Sequence, residues 1–89
     1  MYKPELKNVK LPENLDNLIE KVAREVHETW AANRIKEGWK YGPERNDEKK
    51  ETPCLVPYDE LPEIEKDYDR NTARTVVAKI LEEGYKISK

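Results

Sequence analysis

Residues 30–58 read WAANRIKEGWKYGPERNDEKKETPCLVPY, and the architecture turns on how this stretch is used. It holds both tryptophans, the only cysteine, two of the five tyrosines and two of the three glycines. It ends one long amphipathic segment and leads toward a second. Aromatics gathered in the connector of a small, very polar chain have two uses. They pin the connector onto the helices, or they line a site.

Upstream, Pro12 suits the first turn of a helix, because its missing N–H would be unpaired there anyway. Leu15, Leu18, Ile19, Val22, Ala23, Val26 and Trp30 then recur at helical spacing and share one face. Gly38 fits the position just past a helix end, so the spacing predicts a helix over residues 12–37, roughly 37 Å long. That is more than one small core requires, so its end is expected to meet a partner or carry a site. Asn33 continues the apolar stripe beneath Val26 and Trp30. An amide there needs partners if buried. It either bonds connector backbone and locks the helix end, or contacts a ligand or a second subunit. Arg34 lies one turn after Trp30 and can stack on the indole or present its guanidinium beside it. His27 reads as a boundary residue beside the stripe. With no second histidine and no cysteine at ligand spacing, no zinc site is predicted. Residues 1–11 form a lead-in arm in which Tyr2, Leu6, Val9 and Leu11 can pack as an extended piece.

Gly38, Gly42 and Pro43 force turns after the helix. Trp39 and Tyr41 alternate, which predicts an extended piece with both rings on one side, folded back as a cap on the core. Residues 45–51 are wholly polar and solvated, with Arg45 and Asp47 flanking a turn. Residues 53–57 are bracketed by prolines and read as a short extended piece laid into the core, with Tyr58 a structural aromatic. Leu61-Pro62 reopens helix, with Glu63 and Glu65 favourable in its first turn. The apolar pattern then changes phase. Leu61, Ile64 and Tyr68 point one way; Ala73, Val76, Val77, Ile80 and Leu81 point another. Either one helix has two contact faces, or it breaks at residues 69–72 with Asp69 or Asn71 capping the second half; the break is the expectation. Gly84 ends that helix, and Tyr85 and Ile87 alternate as a terminal strand pairing with residues 39–41 or 54–56. The expected fold is mainly α with short β strands. Two long helices are joined by the aromatic connector, and the second helical segment is interrupted. Residues 1–11 are the arm and 12–87 a single domain.

Composition narrows the function classes. The chain has 89 residues, 36% hydrophobic and 40% charged, which leaves little apolar material for a core. Self-association would supply the missing burial. A net charge of −2, with Lys and Arg spread along the chain, argues against a nucleic-acid surface or an anionic-membrane footprint. No apolar run approaches a membrane span, and the first residues show no signal-peptide pattern. One cysteine fits a reducing cytoplasm. No metal cluster, phosphate loop or nucleophile elbow is present, and Cys54 has no fixed base in view, so the expectation is a non-enzyme without cofactor or catalytic residues.

Taken together, Trp30, Asn33, Ile35, Gly38-Trp39, Tyr41-Gly42-Pro43, Arg45, Asp47, Lys49, Pro53-Cys54-Leu55-Val56, Leu61-Pro62, Glu65, Tyr68 and Gly84 resemble the RyR domain, the ryanodine receptor repeat, which also occurs as single copies in bacterial proteins. The similarity spans residues 10–87. Thr52 departs from it, since channel repeats often carry His before the Pro-Cys-Leu-Val run. The resemblance implies a mainly helical fold with short strands, and a homodimer standing in for the paired repeats of the channels. It also implies a ligand-sensing role, with an adenine nucleotide or a related anionic, ring-bearing molecule as ligand. Carried over by position, Trp30, Arg34 and Arg45 are the expected contacts, with Asn33 beside them. That agrees with the residue chemistry: an indole to stack a base and guanidinium groups for phosphates. The alternative is a protein-interaction or assembly module in which Trp39, Tyr41, Tyr58 and the other aromatics are all structural. Calcium conduction is not implied.

Overall fold

The computed structural model describes residues 1–5 and 11–89. After Pro12 a single 3-10 turn, Glu13–Leu15, runs into helix α1, Asp16–Lys36. Gly38 follows with φ +93, a conformation that glycine enters without steric cost. The amides of Glu37, Gly38 and Trp39 turn back onto the carbonyls of Asn33, Arg34 and Ile35. The Lys50 ammonium then donates to the Glu37 carbonyl at 2.8 Å, a cation set on the negative end of the helix dipole.

The connector builds its own small scaffold. Strand β1, Lys40–Tyr41, pairs in parallel with β2, Glu51–Thr52, in the register Lys40↔Glu51 and Tyr41↔Thr52. An antiparallel bridge between Asn46 and Glu51 closes the intervening turn, and the Asn46 side chain accepts the Lys49 amide at 3.1 Å. Arg45 precedes this turn, but Asp47 opens it instead of flanking it, and the Lys50 amide returns to the Asp47 carbonyl at 3.4 Å. Gly42 is buried for want of room: a Cβ there would lie 2.6 Å from Glu51 Cβ.

A second 3-10 turn, Tyr58–Glu60, leads through Leu61-Pro62 to helix α2, Glu63–Glu82. The two helices make the principal long-range contact. Leu15, Ile19 and Ala23 from α1 and its entry meet Ala73 and Val77 of α2, with Tyr58 and Leu61 between them. Leu11, Leu18, Val22, Cys54, Val56 and Leu81 pack around this centre. The mainly helical fold with short strands is thus the one the pattern predicts.

Four further expectations need correction. α2 is continuous through residues 69–72, so there is no interruption. Lys66, Asp69 and Arg70 extend the inward face of Ala73 and Val77 toward the helix start, so polar side chains carry the stripe where apolar ones lapse. Ile64 and Tyr68 instead lie outside the core and are largely exposed. Second, Tyr85 and Ile87 form no strand; the real pairing is between β1 and β2. Third, Tyr41 is 57% exposed and does not cap the core. Fourth, His27 is no boundary residue: it is 3% exposed and completes the i, i+4 series Ile19, Ala23, His27. Of the arm residues, Leu6 and Val9 lie outside the described residues, Tyr2 is exposed, and Leu11 packs on the core.

Candidate functional site

His27 is the residue through which α1, the connector and α2 meet. Its Nε2 lies 2.7 Å from the Val56 carbonyl oxygen. A carbonyl only accepts, so Nε2 carries the proton and donates it. Nδ1 faces Asp69 Oδ2 of α2 at 3.8 Å. The ring stacks on Trp30, centroids 5.6 Å apart and planes 25° from parallel, and lies 6.2 Å from Tyr58.

Planar groups continue from there in a ladder. The Arg34 guanidinium carbon stands 5.8 Å from the Trp30 ring and 5.0 Å from the Trp39 ring. Arg45 stands 5.9 Å from the same Trp39 ring. Trp39 therefore gathers two guanidinium groups, one from the helix end and one from the connector. That requires Gly38 to reverse the chain, so that Trp39, just before β1, meets Arg34 at the end of α1. Arg45 is also oriented by Asp47, whose carboxylate accepts from Nε at 2.8 Å and holds the guanidinium proton more firmly.

Beside this ladder opens a cavity of about 450 Å³. Its α1 wall is His27 and Trp30; the connector contributes Arg45, Thr52, Pro53 and Cys54; Leu61, Glu65, Tyr68 and Asp69 form the third wall. Such a volume matches a drug-sized or nucleotide-sized ligand. One part is aromatic and basic, the other acidic. Burial raises the Asp69 carboxyl above its ordinary range, the charge of Glu65 adds to that, and His27 opposes it. Burial likewise raises the Cys54 thiol, with the Glu65 carboxylate acting in the same direction against the Thr52 hydroxyl. A thiol held protonated is a poor nucleophile.

The opposite flank of the core is braced by charge. Tyr58 is buried, donates to Glu20 Oε1 at 2.9 Å, and has its pKa pushed up to about 12 by burial and that bond. Arg70 donates to Glu20 at 2.8 and 3.1 Å, to Glu63 at 2.9 Å and to Asp67 at 2.8 Å. It holds the Glu20 and Glu63 carboxyls below their usual range. Arg24 grips Asp59 with two bonds, at 2.8 and 3.2 Å, and lies over the Tyr58 ring. These contacts fix the start of α2, and with it Glu65 and Asp69, against α1.

Of the expected ligand contacts, Trp30 and Arg45 line the cavity. Arg34 reaches it only through the two indoles, and is paired with Glu37 at 3.5 Å. Asn33 is exposed and is not in the cavity wall. Sequence reasoning did not anticipate Glu65 and Asp69 as wall residues, nor His27 between them and Trp30. The usable signal was spacing: Ile19, Ala23 and His27 advance by four, as do Glu65 and Asp69. Among the described residues no cluster of His, Cys, Asp or Glu has metal-holding geometry, and no helix is long and apolar enough to cross a membrane.

The family model of the RyR domain matches residues 2–89, taking in the helix pair, the connector with its two tryptophans and every wall of the cavity. The chain belongs to the RyR domain family.

Proposed function

We propose that this RyR domain is a non-enzymatic sensing module that binds an anionic, ring-bearing small molecule, an adenine nucleotide or a related one being the first candidate. The observation that carries the reading is the cavity: Trp30, stacked on His27, and Arg45, held by Trp39 and Asp47, line one space large enough for a nucleotide. The indole supplies a stacking surface and the Arg45 guanidinium an anion contact in the cavity wall, with Arg34 behind it on the Trp39 ring. Binding without chemistry agrees with the raised Cys54 thiol. Cys54 is a free cysteine, which suits the reducing cytoplasm as the place of action. A thermal-shift titration tests the proposal. A ligand that binds the native state alone raises the midpoint by mass action. Nucleotides are expected to raise it in wild type and not in Arg45→Ala. No shift with any nucleotide at millimolar concentration rejects the reading.

A second reading, an assembly module that pairs with another copy, is favoured by one observation. Val76, Ile80 and Tyr85 leave an apolar groove on the outer face of α2, edged by Thr75, Lys79 and Glu83. Sedimentation over a wide concentration range tests it, and a monomer at every concentration rejects it.

A further inference from the structure

Glu65 and Asp69 stand four residues apart on α2, so they share one face of the helix, and both line the cavity. Their neighbours Glu63 and Asp67 are held by Arg70. Among the described residues no lysine or arginine pairs with Glu65 or with Asp69. Asp69 has only the His27 ring at 3.8 Å. Glu65 interacts with the Cys54 thiol, a weak donor. When ionised, the two carboxylates present acceptors to the cavity and no donors. Arg45 enters the same cavity from the connector. A ligand that gives its anion to Arg45 therefore turns a ring edge toward a wall of acceptors.

Base edges differ in how they meet such a wall. Adenine carries a donor beside a lone pair on each exposed edge, and the lone pair would face a carboxylate oxygen. Guanine carries adjacent N–H donors, which match the two oxygens of a carboxylate in the same forked way that a guanidinium does. We infer that Glu65 and Asp69 select a ring with adjacent N–H donors, so that the cavity takes guanine-type nucleotides over adenine-type ones. The inference rests on the reading of the cavity as a nucleotide site and changes the base that fills it.

Calorimetric titration of the full chain with GMP, IMP and AMP is the test, since the three share a phosphate and a purine. GMP is expected to bind roughly tenfold tighter than IMP, which lacks the 2-amino donor, and tighter than AMP by a similar factor. The double variant Glu65→Gln, Asp69→Asn keeps the wall's shape but adds donors to it, and should reduce the GMP preference to about twofold or less. The inference is overturned if wild type binds AMP or IMP as well as GMP, or if the preference survives the double variant. If AMP binds best and Arg45→Ala abolishes it, the nucleotide reading stands and this inference alone fails. If none of the three binds at millimolar concentration, both fail together.

Discussion

Nδ1 of His27 lies 3.8 Å from Oδ2 of Asp69, while Nε2 of the same ring donates to the Val56 carbonyl at 2.7 Å. One side chain from α1 thus touches both other parts of the fold. His27→Leu leaves the Val56 carbonyl without its donor, and should cost about 2 kcal/mol in urea unfolding. His27→Gln keeps an N–H within reach and should recover part of that. A loss of under about 0.5 kcal/mol for His27→Leu would mean that the bond to Val56 contributes little.

Tyr58 sets a limit on alkaline stability. Its folded pKa of about 12 lies above the ordinary value of 10.0. The folded state therefore holds the phenolic proton more tightly than the unfolded chain does. The associated stability is complete below pH 10 and is lost as pH rises toward 12. Tyr58→Phe removes that alkaline loss at a cost of about 1 kcal/mol at neutral pH for the missing bond to Glu20. Tyr58→Ala, which empties the centre of the core, should cost about 3–5 kcal/mol. Chemical denaturation across pH reads all three.

Acid acts in two opposed directions. Glu20 and Glu63 have folded pKa values below the ordinary 4.5, held there by Arg70, so their contribution is present above that pH and is lost as pH falls through the lower folded values. Arg70→Ala should lower stability at neutral pH and flatten the acid limb. Asp69 has the opposite sign. Its raised pKa means that ionisation works against folding, so Asp69→Asn should leave neutral-pH stability unchanged or increase it. A marked loss of stability in Asp69→Asn would show that the charge on Asp69 is needed by His27.

Two glycines are constrained for different reasons. At Gly38 a Cβ meets nothing nearer than the Lys50 side chain at 3.9 Å, but φ is +93, so Gly38→Ala should cost about 1 kcal/mol from the backbone alone. At Gly42 the backbone is ordinary and the space is not. The 2.6 Å approach to Glu51 means that Gly42→Ala must part β1 from β2, at about 1–3 kcal/mol. If Gly42→Ala also weakens ligand binding and Gly38→Ala does not, the connector scaffold is what positions Arg45.

Trp39 predicts a binding effect without lining the cavity. It stands under both Arg34 and Arg45, so Trp39→Leu should lower ligand affinity by roughly tenfold, with both guanidinium groups still present. Full affinity in Trp39→Leu would show that Asp47 alone orients Arg45.

The helix pair was legible because its signals are local. Pro12, Gly38, Leu61-Pro62 and Gly84 mark the ends, and spacing marks the inner face of α1. The continuity of α2 was not, since its inward stripe passes through Lys66, Asp69 and Arg70, whose burial depends on partners distant in sequence such as Glu20 and His27. Only two of the four expected ligand contacts, Trp30 and Arg45, are in the cavity wall. The acid wall was hidden for a similar reason: an exposed Glu–x–x–x–Asp pair and one facing a cavity read the same. Asn33 shows the reverse case. Its place on the wheel follows the stripe, but the core ends before it, and the amide stays in solvent.

Trp30 and Trp39 are the only tryptophans in the chain, and both belong to the ladder beside the cavity. Indole emission is therefore a local signal, free of background from the rest of the fold. Imidazole on one indole and guanidinium on both make that emission sensitive to displacement of the ring and of the arginines. The helix pair reports separately, through far-ultraviolet dichroism. A single unlabelled sample can thus distinguish a disturbance at the cavity from loss of the fold, because the two carry different spectroscopic signatures.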